Sequence, residues 1–222
     1  MSDFDIISLL QNFIVLFTAI TVHEFSHGFI AHKLGDPTAK MMGRLTLNPL
    51  AHLDPLGAIM MIFCRFGWAK PVPVNPYYFK DPKRDMVLVS VAGPLSNLIL
   101  AFIVATICPF LGVDTIETYG GSIFYIVGEI PFVSELLITC LIININFAVF
   151  NLIPFPPLDG SKILFSLLPN HLYNKFLTYE RYGTIILIGL SISGILGKVL
   201  GIVINPILSL YINWINFLGN MI

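Results

Sequence analysis

The amino-acid sequence predicts an all-α polytopic membrane protein. It has a three-helix core, one or two further C-terminal helices, and a re-entrant or extended segment between the first and second spans. Three observations lead there. Hydrophobic residues make up 56% of the 222 and charged residues only 11%, against about 25% charged in a soluble domain, and mean hydropathy is +0.84. The uncharged runs Ile6–His32 (broken only by Glu24), Met86–Val113 and Leu136–Leu158 each exceed the ~20 residues a helix needs to cross a bilayer. The basic residues are also lopsided: eleven of twelve fall after the first span or after the third, and none between the second and third.

Taken in order, spans are expected at about 6–32, 86–107, 132–153 and 184–204, in one domain covering 1–222. The N-terminus carries Asp3 and Asp5 in place of a basic region and has no small-residue cleavage site, so its apolar run reads as a retained helix. The run Pro55–Cys64 is too short to span and suits a re-entrant or interfacial segment. The stretch Lys70-Pro71-Val72-Pro73-Val74-Asn75 reads as an edge strand or polyproline segment. Either pairing with a substrate backbone or a stiff connector accounts for it. Gly189, Ser193, Gly197 and Gly201 recur every four residues. Such a small-residue stripe lets membrane helices approach closely and makes an oligomer face possible. Pro206 is expected to break or kink the last helix, leaving 207–222 as a short span or an interfacial segment. By the positive-inside rule the N-terminus lies outside and the first helix runs inward, in a multi-pass protein expected in a bacterial cytoplasmic membrane. A net charge of −1 argues against nucleic acid. Cys64, Cys108 and Cys140 lack metal or redox spacing and read as buried hydrophobes.

Residues 23–27 read His-Glu-Phe-Ser-His inside the first span. On a helix, two histidines four apart share a face and can hold zinc, with the glutamate as general base. The alternative is a histidine pair hydrogen-bonding between helices. A carboxylate at mid-membrane costs ~2.5–3.5 kcal/mol, which favours the metal. A catalytic zinc needs a third protein ligand and an open position. His32 lies off the face at the helix end. His52 and Asp54 lie among turn-forming prolines, and His171 in a polar loop. Asp159 ends a 23-residue uncharged run, after three prolines that stop the helix. On spacing it suits either a ligand or a helix N-cap.

HEFSH in an early span combined with Asn151-x-x-Pro-x-Pro-Pro-Leu-Asp159-Gly160 resembles the site-2 protease family of intramembrane zinc metalloproteases. The resemblance extends to Gly43-Arg44-Leu45-Thr46-Leu47-Asn48-Pro49, the Lys70–Asn75 stretch and Ala92-Gly93-Pro94-Leu95-Ser96-Asn97. It implies one Zn2+ held by His23, His27 and Asp159, Glu24 as catalytic base, and a core built from the first three spans. It also implies peptide-bond hydrolysis within or beside transmembrane helices of substrate proteins. The connection Pro109–Pro131 is too short for the PDZ domain of some members, and the apolar C-terminus is unlike a CBS extension, so the chain resembles a compact form. Asn151 and Asn97 are candidates for oxyanion or substrate contacts, with interhelical hydrogen bonds as their alternative. Two rivals stand against a protease: a non-cleaving membrane metal-binding protein, and a pseudoprotease that sequesters clients.

Overall fold

The computed structural model describes residues 6–57, 69–113, 116–119, 122–125, 131–169 and 182–222. Helices α1 (Ile6–Lys33), α2 (Pro82–Ile107) and α3 (Pro131–Asn151) pack on one another. The short α4 (Asp159–Ser166) follows, then α5 (Tyr182–Ile192) and α6 (Ile195–Gly219). Four stretches, Leu10–Lys33, Pro82–Leu111, Phe132–Asn151 and Ile195–Gly219, are long and apolar enough to cross a membrane. The bundle is that of an all-α polytopic membrane protein. Strands β1 (Ile116–Tyr119) and β2 (Ser122–Tyr125) form an antiparallel hairpin in the α2–α3 connection and add no layer to it.

Local chemistry explains where these helices start and stop. Asp81 caps α2 by accepting from Arg84 N at 3.2 Å, with Pro82 at the first helical position, where its missing donor costs nothing. Helix α3 stops at Asn151 because Pro154, Pro156 and Pro157 cannot donate and disfavour helical neighbours. The chain then turns back tightly. A Cβ on Gly160 would lie 2.2 Å from Leu152 O and 2.5 Å from Ile153 O. Only glycine lets α4 begin directly against the end of α3, and this returns Asp159 to the bundle.

The apolar core joins α2, α3 and α6 through Ala101, Val104, Leu141, Ile145 and Ile215, with Cys108 just past the end of α2. Two indole and phenol contacts add direction. Trp214 Nε1 donates to Thr106 Oγ1 at 3.1 Å, and Tyr211 OH to Leu98 O at 3.0 Å.

The C-terminal helices differ from the sequence expectation. No single helix covers 184–204, and Pro206 does not end one. The chain breaks at Ser193–Gly194, where Gly194 takes a left-handed φ of +73°, and α6 continues through Pro206 to Gly219. Glycine without a Cβ adopts that conformation freely. A proline inside a membrane helix is tolerated when its surroundings compensate, and here Leu200 and Ile204 before Pro206 and Ile212 and Ile215 after it all pack on the core. Residues 207–219 therefore belong to a helix long enough to span. The small-residue stripe is divided by the same break: Gly189 precedes it, while Gly197 and Gly201 follow it. Most of the Pro55–Cys64 segment, with Trp68 and His171, lies outside the described residues.

Candidate metal centre

Helix α1 presents His23 and His27 on one face, their rings edge to face with centroids 4.5 Å apart. Both are buried. Each ring is fixed from behind through Nδ1. His27 Nδ1 lies 2.7 Å from Val89 O, a pure acceptor, so Nδ1 carries the proton. His23 Nδ1 lies 2.8 Å from Asn97 Oδ1, and a relay of amides sets that orientation. Asn144 Nδ2 donates to Cys140 O at 2.9 Å, which turns its Oδ1 to Asn97. Asn97 Nδ2 donates to that oxygen at 2.8 Å and to Ala19 O at 3.0 Å. Asn97 Oδ1 is left to accept from His23. Two backbone carbonyls thus decide the tautomer of a ring two residues away in the chain of contacts.

With Nδ1 protonated, both Nε2 atoms present bare lone pairs in the neutral rings. They face the same carboxylate oxygen: Asp159 Oδ2 is 3.1 Å from His23 Nε2 and 3.0 Å from His27 Nε2. Three acceptors meeting in a buried site repel unless a proton or a metal ion lies between them. The three groups form a cluster suited to a divalent metal, their ligand atoms all within 4.8 Å of one another. Zinc bonds of ~2.0–2.1 Å in a tetrahedron separate ligand atoms by ~3.3 Å, close to the spacing seen. The donor set fits the ion.

Gly93 makes room for this arrangement. A Cβ there would fall 2.5 Å from His27 Nε2 and 2.7 Å from His23 Cε1, and rings pinned at Nδ1 cannot yield. In front of the cluster lies a cavity of about 350 Å3 whose lining includes Glu24, Val72, Ser90, Asn151 and Lys162. Glu24 Oε2 accepts from Val72 N at 2.7 Å. Lys162 Nζ lies 3.5 Å from Asp159 Oδ1.

The structure thus brings His23, Glu24, His27, Asp159 and Asn151 to one cavity, and leaves others elsewhere. Asn97 is a correction: it is fully buried and both its donor contacts are used inside the bundle, so it orients His23 and cannot reach an oxyanion. Asn151 lines the cavity, its amide donating to Phe147 O at 2.9 Å. Asp159 is no N-cap. Leu158 holds the cap position, and the Asp159 oxygens turn to the histidines. His52 is buried on Thr46 O at 2.8 Å, and Asp54 accepts from Gly57 N at 2.9 Å, a turn role. His32 is not part of the cluster.

Sequence reasoning missed Asn144, Gly93, Lys162 and the Val72 amide. Asn144 carried a readable signal, since a polar side chain in a membrane span is functional by default. Lys162 sits one turn after Asp159, a spacing that places both on one side of α4. Gly93 and the Val72 amide have no side-chain signature.

The comparisons agree with this geometry. Residues 11–193 match the model of peptidase family M50. The chain is 42% identical over 182 residues to YwhC of Bacillus subtilis, a protein named as a candidate zinc metalloprotease, covering 81% of this chain and 79% of that one. It is 29% identical to Rip2 of Mycolicibacterium smegmatis, also named as a candidate zinc metalloprotease, over 81% of this chain and 66% of that one. It is 26% identical to the zinc metalloprotease MJ0392 of Methanocaldococcus jannaschii, over 70% of this chain but only 34% of that one. No solved structure matches. A histidine pair and an aspartate gathered from two helices of a membrane bundle, beneath a family match that spans both, make this chain a member of peptidase family M50, the site-2 type of zinc metalloprotease.

Proposed function

We propose that this enzyme hydrolyses peptide bonds within or next to transmembrane helices of substrate proteins, using one Zn2+ held by His23 Nε2, His27 Nε2 and an Asp159 oxygen. The observation that carries the reading is the convergence of those three lone-pair donors on a cavity that Glu24 also lines. When bound, the ion supplies Lewis acidity, acidifying water and polarising a carbonyl. The protein does the rest. Glu24 takes the proton of the attacking water and hands it to the leaving amine. Asn97 and Val89 O keep the two rings in the tautomer that faces the ion. Asn151, at the cavity edge, exchanges its contact with Phe147 O for the substrate backbone.

The catalytic unit comprises α1, α2, α3 and α4, within one domain over 1–222. Lys162 lines its polar cavity, and Pro71, next in sequence to Lys70, forms part of the wall; both lysines belong to the basic loops that follow the first and third spans. This supports an N-terminus outside and a site toward the cytoplasm. A substrate helix arrives with its carbonyls occupied by its own hydrogen bonds, so it unwinds locally before it can be cut.

The test is purification in detergent with zinc quantitation, beside cleavage of a tagged single-span protein. Wild type holds about one zinc per chain. Glu24→Gln keeps the zinc and loses cleavage by about 10²–10⁴-fold. Full activity in Glu24→Gln would sink the mechanism, and zinc without cleavage in wild type would favour a non-cleaving metal-binding protein.

A further inference from the structure

Three polar side chains outside the site are almost completely buried: Asp36 at 0%, His52 at 1% and Arg44 at 8% exposure. Burying such groups is costly unless they are hydrogen-bonded; the side chains of Asp36 and Arg44 bond one segment, and His52, whose ring bonds Thr46 O, meets the same segment through its backbone. Asp36 Oδ2 accepts from Asn75 N at 2.7 Å. Arg44 donates to Lys70 O at 2.7 Å. The His52 carbonyl accepts from Lys70 N at 3.0 Å, beside an antiparallel bridge between Leu53 and Ala69. The segment 69–75 is therefore pinned at both ends. In its middle, Pro71 and Pro73 have no N–H, so the amide of Val72 is the lone donor between Lys70 and Val74. That donor is spent on Glu24 Oε2 at 2.7 Å. Val72 itself is buried, its Cγ1 only 3.1 Å from where a Cβ on Gly28 would lie.

The geometry points to a brace: the segment Ala69–Asn75, held by Asp36, Arg44 and His52, delivers the Val72 amide to Glu24 and positions the general base. This rests on the reading of Glu24 as that base. A carboxylate has two oxygens and about four acceptor sites. Holding Oε2 on a rigid amide stops the group rotating and leaves Oε1 for water. The Pro-Val-Pro pattern then has a purpose beyond stiffness. It removes competing donors on either side and fixes the extended backbone that aims the remaining one. The same count leaves 71–73 with no N–H to offer a substrate strand.

Val72→Pro deletes this amide while retaining the backbone its neighbours impose. Val72→Ala keeps the amide and trims the packing against Gly28. Both are purified in detergent with zinc quantitation, and cleavage of the tagged single-span protein is followed. The expected result is a kcat for Val72→Pro about 10–100-fold below that of Val72→Ala, with KM and zinc content matched. A second readout needs no turnover. In 15N-valine-labelled protein the Val72 amide signal, assigned by its loss in Val72→Pro, shifts upfield in Glu24→Ala. Equal or higher kcat in Val72→Pro overturns the brace, as does an amide signal that Glu24→Ala leaves in place. Should Val72→Pro lose its zinc, α-hydroxyisovalerate at position 72 replaces the amide by an ester with the side chain intact, and the same comparison decides. Zinc-loaded wild type without cleavage overturns the peptidase reading instead, and the amide shift then judges the contact separately.

Discussion

The bundle of α1 to α4 and the C-terminal pair α5 and α6 are comparably apolar, yet they are held by different means. In the first, buried polar groups including Gln11, His23, Asn97, Asn144 and Asp159 lie among the apolar contacts, and those at the metal centre find specific partners. In α6 only Ile212 and Ile215 are buried, while Ile202 and Leu210 are 75% and 68% exposed. Two polar contacts, from Tyr211 and Trp214, set its register. The difference teaches how position is encoded in a membrane chain. Apolar contact is nearly indifferent to a shift along the axis, because lipid is as apolar as leucine. A buried amide is not indifferent, since a shift leaves it unpaired.

Three substitutions separate the two regimes. Gly93→Ala carries the largest effect. It adds one methyl group against rings that cannot move, and the expected outcome is zinc content far below one per chain with every ligand still present, measured by metal analysis. Full zinc loading would show that α2 can retreat. Asn97→Leu comes next. It removes the acceptor of His23 Nδ1 and strands Asn144, and zinc affinity is expected to weaken by about 10–100-fold in a chelator competition. An unchanged affinity would mean the amide relay does not hold the ring. The smallest effect is at Gly197, where a Cβ meets nothing within 4 Å. Gly197→Ala is expected to stabilise by about 0.5–1 kcal/mol through helix propensity alone, read as a small rise in Tm. A marked loss would place a packing partner against that face.

The same contrast explains what was legible beforehand. The His23, Glu24 and His27 motif was legible because ionisable groups are expensive in a span and its spacing carries chemistry, whereas spacing left Asp159 open between a ligand and a cap. The first three spans were readable from uncharged run length. The fourth differed at Pro206 and at Gly194, because a proline's lost donor is visible in sequence, whereas the docking of Tyr211 and Trp214 on the core is not. Asn97 stood open between a substrate contact and an interhelical bond for a related reason. An amide in a span must find a partner, and residue type cannot say whether that partner is a substrate or a histidine.

By itself, the sequence determined that the chain crosses a membrane, that it carries a zinc-type motif on its first helix, and that Asp159 follows a long uncharged run as a candidate ligand or cap. These are properties of single segments, set by hydropathy, charge and periodicity. Only the tertiary structure decided which nitrogen of each histidine faces the cavity, why Gly93 must lack a side chain, and where the Val72 amide finds its acceptor. Each of those depends on an acceptor or an atom brought from a distant part of the chain, and such groups acquire a meaning only when they meet.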